Sequence, residues 1–179
     1  YQQYIDSAIS LKKADIEQSI DYVIKAIATL GNGNKQELAK AYTVWAQIYA
    51  YHKQYDLAID NLVYAKNVKK SLQVDLLLGE VYVSNKKYDK AIEVLAPLKK
   101  SNNLDHQKKV RLYEALGDAQ LGKEKVRLAL QYFEAALKVA KKNQMTPKIT
   151  DLNSKIADTY ANEDRLKEAE GYFNQSLAL

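Results

Sequence analysis

The chain has 179 residues, 47% of them hydrophobic, and 27 basic against 22 acidic side chains leave a net charge of +5. It contains no cysteine, which excludes disulfides, thiolate metal sites and cysteine nucleophiles while leaving cytoplasm and periplasm equally open. No run of about 18 apolar residues is present, so no segment reads as a membrane-spanning helix, and the length suits one continuous core.

Taken in chain order, the sequence repeats. A first unit over approximately 1–34 contains YIDSAISLKKADIEQSIDYVIKAIAT, whose second half (Ser19, Val23, Ala26) matches the later units better than its first. The second, over 39–71, reads YTVWAQIYAYHKQYDLAIDNLVYAKN, and the third, over 72–104, reads DLLLGEVYVSNKKYDKAIEVLAPLKK. The fourth, over 105–143, reads YEALGDAQLGKEKVRLALQYFEAALK, and the fifth, over 147–179, reads NSKIADTYANEDRLKEAEGYFNQSLA. The last four align without gaps.

Small residues open these units at Ala46, Gly79, Gly117 and Ala157, separated by 33, 38 and 40 positions. That period marks a stack of helical hairpins rather than one globular core. Tyr42, Trp45, Ala46 and Tyr49 recur at i, i+3, i+4 and i+7, one apolar stripe of a first helix, and Ala58, Leu62 and Ala65 supply the stripe of a second. The small residues fall where two helix axes must approach, because interaxial distance follows the side chains at the crossing. The expectation is all-α: a right-handed α-solenoid of about five stacked helix-turn-helix hairpins, about ten helices, forming a single domain over 1–179.

Helix ends are legible too. Thr146 is expected to cap a helix that begins at Pro147, and Asp105 to cap another. Gly31, Asn32, Gly33 and Asn34 break the chain after the first unit, as do Ser101, Asn102 and Asn103 further on. Pro97 should end or kink its helix early. The sequence starts at Tyr1 within a helical pattern, and Phe173, Leu177 and Leu179 form an apolar pattern near its end. These features predict a piece of a longer protein, with another helix covering that last face or a homodimer through the terminal helices.

The pattern resembles the tetratricopeptide repeat family over essentially the whole chain. The resemblance rests on an early aromatic (Tyr42, Tyr113), on a large residue followed by a small one (Trp45 and Ala46, Leu78 and Gly79, Leu116 and Gly117, Ile156 and Ala157), and on Tyr49, Tyr82 and Tyr160 three places later. The second helix contributes Ala58, Ala91, Ala129 and Ala169. Departures are Asp75 and Asn153 for the aromatic, Gln120 for the tyrosine, Leu98 and Ser176 for the last alanine, and mostly no closing proline.

Chemistry is sparse. His52 falls in a turn and His106 begins a helix two units away, so they lack metal-ligand spacing, and no phosphate loop or nucleophile elbow occurs. The segment is therefore expected to hold no cofactor and to have no enzymatic role, an attached catalytic domain remaining open. Fourteen tyrosines and the positive charge raise the question of nucleic acid. Tyr49, Tyr82 and Tyr160 belong to the packing stripe, however, and the lysine pairs at 69–70, 99–100 and 141–142 fall at helix C-termini, where cations complement the dipole. The charge is scattered, which leaves a nucleic-acid-associated regulator as a distant alternative.

The resemblance implies a ligand-facing wall built mainly from the first helix of each hairpin. The matching places are Thr43, Gln47 and Ala50; Leu76, Glu80 and Val83; Glu114, Asp118 and Leu121; and Ser154, Asp158 and Ala161. These twelve positions hold four acids and no base. The wall is accordingly expected to be acidic, diluted by Lys40, Arg111 and Lys155 near its rim, and to take a protein or peptide ligand that is basic or amphipathic, with apolar contacts from Leu76, Val83 and Leu121; the alternative is that these acids merely solvate the wall. Family members that grip acidic chaperone tails are similar to one another in carrying Lys and Asn where this chain has Thr43 and Gln47, which disfavours a co-chaperone role. Units this divergent and rich in Lys, Asn and Tyr also resemble repeat regions of bacterial signalling proteins such as sensor histidine kinases or transcriptional regulators. The reading is an interaction module with a sensing role, the alternative a passive scaffold for a multiprotein complex.

Overall fold

The computed structural model describes residues 1–30 and 34–177. The expected break at Gly31, Asn32 and Gly33, and Leu179 in the terminal apolar pattern, lie outside the described residues. Ten α-helices occur among them: α1 (Gln2–Leu11), α2 (Ile16–Ala28), α3 (Lys35–Tyr51), α4 (Tyr55–Val68), α5 (Leu72–Ser84), α6 (Tyr88–Leu95), α7 (His106–Gly122), α8 (Val126–Lys142), α9 (Thr146–Ala161) and α10 (Leu166–Leu177). A 3-10 turn, Ala96–Lys100, follows α6. The all-α expectation holds. The chain divides into two compact units, Tyr1–Asn85 and Lys86–Leu179.

In the first unit α1 pairs with α2 and α3 with α4. Its core joins Ile5, Ala8, Val23, Ala26, Ala41, Val44 and Ile48. Ser19 occupies the small position of α2, and its hydroxyl donates to the Ala8 carbonyl at 2.6 Å, which satisfies a fully buried polar group between two close axes. Tyr42 packs on Tyr64 of α4 with ring centroids 4.1 Å apart, and Trp45 continues the aromatic row toward Tyr49.

The second unit contains α6 and the pairs α7/α8 and α9/α10. Ala129, Phe133, Ala136 and Ala140 of α8 meet Leu152 and Ile156 of α9, all fully buried. Gly117 and Ala157 are buried as the notch argument requires. Gly122 comes equally close to a neighbouring hairpin, for a Cβ there would stand 2.2 Å from Tyr88 Cζ.

Four of the hairpin turns share one device, the turn between α1 and α2 being right-handed at Lys12. Lys53, Lys86, Glu124 and Asp164 all adopt positive φ between 56° and 59°. In three of them the next residue's amide reaches back five places, from Gln54 to Tyr49, Lys125 to Gln120 and Arg165 to Tyr160, closing a Schellman turn over the helix C-terminus. The same turn at Gln144 separates α8 from α9, with Met145 donating to the Ala140 carbonyl at 3.0 Å. This corrects the expected cap at Thr146. Met145 is the N-cap, Thr146 is already helical and Pro147 lies in the first turn, because the left-handed residue at 144 sets the helix start. Asp105 does cap α7, accepting from the Lys108 amide at 2.8 Å, and Asn34 caps α3. Pro97 ends α6 as expected, the chain tightening into the 3-10 turn.

Candidate functional site

Within each unit the first helices of the hairpins carry partly open side chains. In the first unit Thr43, Gln47 and Ala50 of α3 and Glu80 and Val83 of α5 are half-buried. The Thr43 hydroxyl donates to the Ala39 carbonyl at 2.7 Å and lines a cleft of ≈ 240 Å³ with Gln36, Lys40, Lys69, Ser71 and Gln73. Lys69 Nζ donates to Gln36 Oε1 at 2.8 Å across its rim. Leu76 differs from the expectation: it is fully buried, so it belongs to the core and offers no contact to a ligand.

In the second unit Glu114, Asp118 and Leu121 of α7 and Ser154 and Ala161 of α9 are half-buried, and Asp158 is exposed. Leu121 packs against the core, and Ser154 Oγ lies 3.1 Å from Ser176 Oγ of α10. Glu114 and Asp118 are not open anionic positions, which corrects the acidic reading of this stretch. Lys155 Nζ donates to Glu114 Oε1 and to both Asp118 oxygens, each at 3.0 Å, and Lys148 Nζ donates to Glu114 Oε2 at 3.1 Å. Both lysines reach across from α9 to α7, so the network fastens one hairpin to the next.

The electrostatics follow from that geometry. Burial pushes the Glu114 carboxyl upward, but Lys155 and Lys148 reverse the effect and hold it below the usual glutamate range. Burial pushes Asp118 above the usual aspartate range, outweighing Lys155, and the neighbouring Glu114 charge adds to the rise. Lys155 loses solvent as well, yet Asp118 and Glu114 together hold its ammonium above the usual lysine value. These shifts belong to an internal ion cluster.

Sequence reasoning set Lys155 near the rim of the acidic wall without pairing it to Glu114 and Asp118, and missed Lys148, because both lie one repeat away. A signal existed: Lys69 with Gln36 is a separation of 33, and Lys123 with Asp89, Lys148 with Glu114 and Lys141 with Gln175 are separations of 34. Side chains one period apart meet across neighbouring hairpins.

His52 has a structural task, its Nε2 donating to the Lys12 carbonyl at 2.7 Å and tying two turns together. No group of three or more His, Asp or Glu side chains among the described residues could hold a metal ion. No helix of the described residues is long and apolar enough to cross a membrane.

Residues 110–143 match the family model of the tetratricopeptide repeat, which spans α7 and α8. No curated protein matches the chain. Among solved structures, MamA from residue 41 to its end, from Desulfovibrio magneticus RS-1, is similar with a TM-score of 0.75 at 17% identity, over 99% of this chain and 93% of that one. Nearly identical TPR-like repeats from Podosopora anserina give 0.78 at 17% identity, over 99% and 92%. The apo form of RapI gives 0.79 at 15% identity, covering 97% of this chain and 51% of RapI. At these identities the likeness carries the fold. The chain thus has the all-α fold of tetratricopeptide-repeat proteins, and its fourth hairpin is a tetratricopeptide repeat in sequence as well.

Proposed function

We propose that the chain is a protein-interaction module that holds a polypeptide on the partly open side chains of its first helices. One observation carries this reading: in the second, third and fifth hairpins Gln47, Glu80 and Asp158 keep solvent exposure at the same repeat place, with Thr43 and Ser154 one turn before it and Val83 one turn after. The alanines and glycines between these places are buried. Such a surface supplies side-chain contacts and steering charge.

The partner is an amphipathic segment, and any preference for basic sequence resides at the exposed Asp158 rather than at Glu114 and Asp118, whose oxygens Lys148 and Lys155 already occupy. The finer reading is a sensing segment of a larger bacterial signalling protein, supported by the divergent, Lys-, Asn- and Tyr-rich units. Passive scaffolding is the alternative, and coding sequence beyond residues 1 and 179 distinguishes them.

The test is an array of basic amphipathic peptides probed with the chain. Gln47→Lys combined with Glu80→Lys should lose bound sequences that Asp60→Lys, on the exposed face of α4, retains. Equal binding by all three proteins removes the reading.

A further inference from the structure

Lys40 and Lys69 are held by neutral groups. Lys69 Nζ donates to Gln36 Oε1 and Lys40 Nζ to Gln2 Oε1, each at 2.8 Å, and neither ammonium has an ion-pair partner among the described residues. Lys40 Nζ also lies 5.9 Å from the centroid of the Tyr1 ring. Lys66, one turn earlier on α4, differs in standing 2.8 Å from the Asp75 carboxylate.

Both lysines line one cleft, the ≈ 240 Å³ space that Gln36 and Thr43 of α3 share with Ser71 and Gln73 at the start of α5. No acid is among its lining residues. The Thr43 proton is committed to the Ala39 carbonyl, so Thr43 forms wall only. Ser71 Oγ accepts from the Gln73 amide at 3.2 Å, which leaves its own proton to give. Each ammonium keeps further N–H groups beyond its glutamine bond, and the side-chain amides of Gln36 and Gln73 add more. The cleft therefore gathers two positive charges and a surplus of donors, with nothing anionic to receive them.

We propose that this cleft binds a phosphate monoester, with Lys40 and Lys69 as its charge partners and Ser71, Gln36 and Gln73 as hydrogen-bond donors. Charge and the number of acceptors select the group. A phosphate monoester carries about −1.5 to −2 charges at neutral pH and three acceptor oxygens, which matches two ammoniums, whereas a carboxylate neutralises one of them. Size agrees, for the cleft is smaller than the about 300 Å³ at which pockets begin to take drug-sized ligands. The inference goes beyond the interaction-module reading and does not depend on it. Of that surface only Thr43 touches the cleft, and it donates nothing there.

The test is phosphorus NMR titration of a neutral pentapeptide carrying phosphoserine, and of methyl phosphate, with the 179-residue chain. Sodium chloride at about 0.15 M screens diffuse attraction between surface charges. One-site binding is expected for at least one of the two esters; tighter binding of the pentapeptide assigns the site to a modified side chain, and tighter binding of methyl phosphate to a small ester. Lys40→Gln or Lys69→Gln weakens binding at least tenfold, Lys69→Arg retains it, and Lys138→Gln on α8 leaves it unchanged. Both lysines are exposed, so their glutamine variants fold. Acetate displaces the ester only at concentrations at least tenfold above those at which inorganic phosphate does. Failure here is separable from failure of the peptide surface, which is read on basic peptides without phosphate. Absence of binding by both esters, binding indifferent to Lys40→Gln and Lys69→Gln, or acetate as effective as phosphate would overturn the proposal.

Discussion

Gly117 of α7 faces Phe133 of α8 so closely that a Cβ at position 117 would stand 2.4 Å from the ring's Cε1. Phe133 is fully buried and has no room to withdraw. Gly117→Ala should therefore destabilise the chain by about 1 to 3 kcal/mol despite alanine's better helix propensity. Ala129→Leu, at a fully buried notch on α8, should cost a similar amount, about 1 to 3 kcal/mol. Urea unfolding measures both, and Phe133→Leu added to Gly117→Ala should recover part of the loss.

The turns predict changes in the opposite direction. Lys53 and Glu124 hold left-handed backbone, which disfavours any side chain, and β-branched ones most. Lys53→Gly should gain up to about 1 kcal/mol, while Lys53→Val should lose about 1 to 2. Thermal unfolding of the two variants side by side checks the sign. If both shift the midpoint alike, the Schellman turn is not what closes this hairpin.

The ion cluster gives a pH dependence. Glu114 titrates below its usual range in the folded chain, so its contribution is complete above that range and is lost as pH falls through the lowered value. Asp118, raised, works against it: its favourable contribution is present at low pH and is lost as pH rises through the raised value. Lys155, also raised, contributes below the usual lysine value and loses that contribution as pH rises through the higher one. Lys155→Met should cost about 1 to 3 kcal/mol at neutral pH and flatten the alkaline limb of stability against pH. Glu114→Gln should flatten the acid limb, with urea midpoints as the readout.

Asn153 takes the place that Tyr42 and Tyr113 hold in other hairpins, and it is 1% exposed with Oδ1 making no hydrogen bond among the described residues. Asn153→Leu should raise stability by about 1 to 2 kcal/mol, because an unsatisfied buried amide is replaced by apolar packing. A fall in the melting midpoint would show that the amide is satisfied by solvent.

The repeat register was readable because close helix crossings tolerate only small side chains, so Ala46, Gly79, Gly117 and Ala157 carry a steric signal in one dimension. Pro97 and Asp105 were readable for a similar reason, each acting on its own neighbours. Thr146 misled because the residue that fixes the helix start is Gln144, a left-handed position without the glycine that usually marks it. Leu76 misled because helical phase places it beside Glu80, while packing buries it completely. The pairing of Glu114 and Asp118 was hidden in the lysines of the next hairpin, since periodicity within one helix says nothing about what reaches over from another.

The most direct test of the interaction surface is residue-resolved chemical-shift mapping of the chain as a basic amphipathic peptide selected from the array is added. The account predicts perturbations clustered at Thr43, Gln47, Glu80, Val83, Ser154 and Asp158, with Asp60 and Lys138 on the second helices unmoved. Shifts confined to the second helices would contradict it.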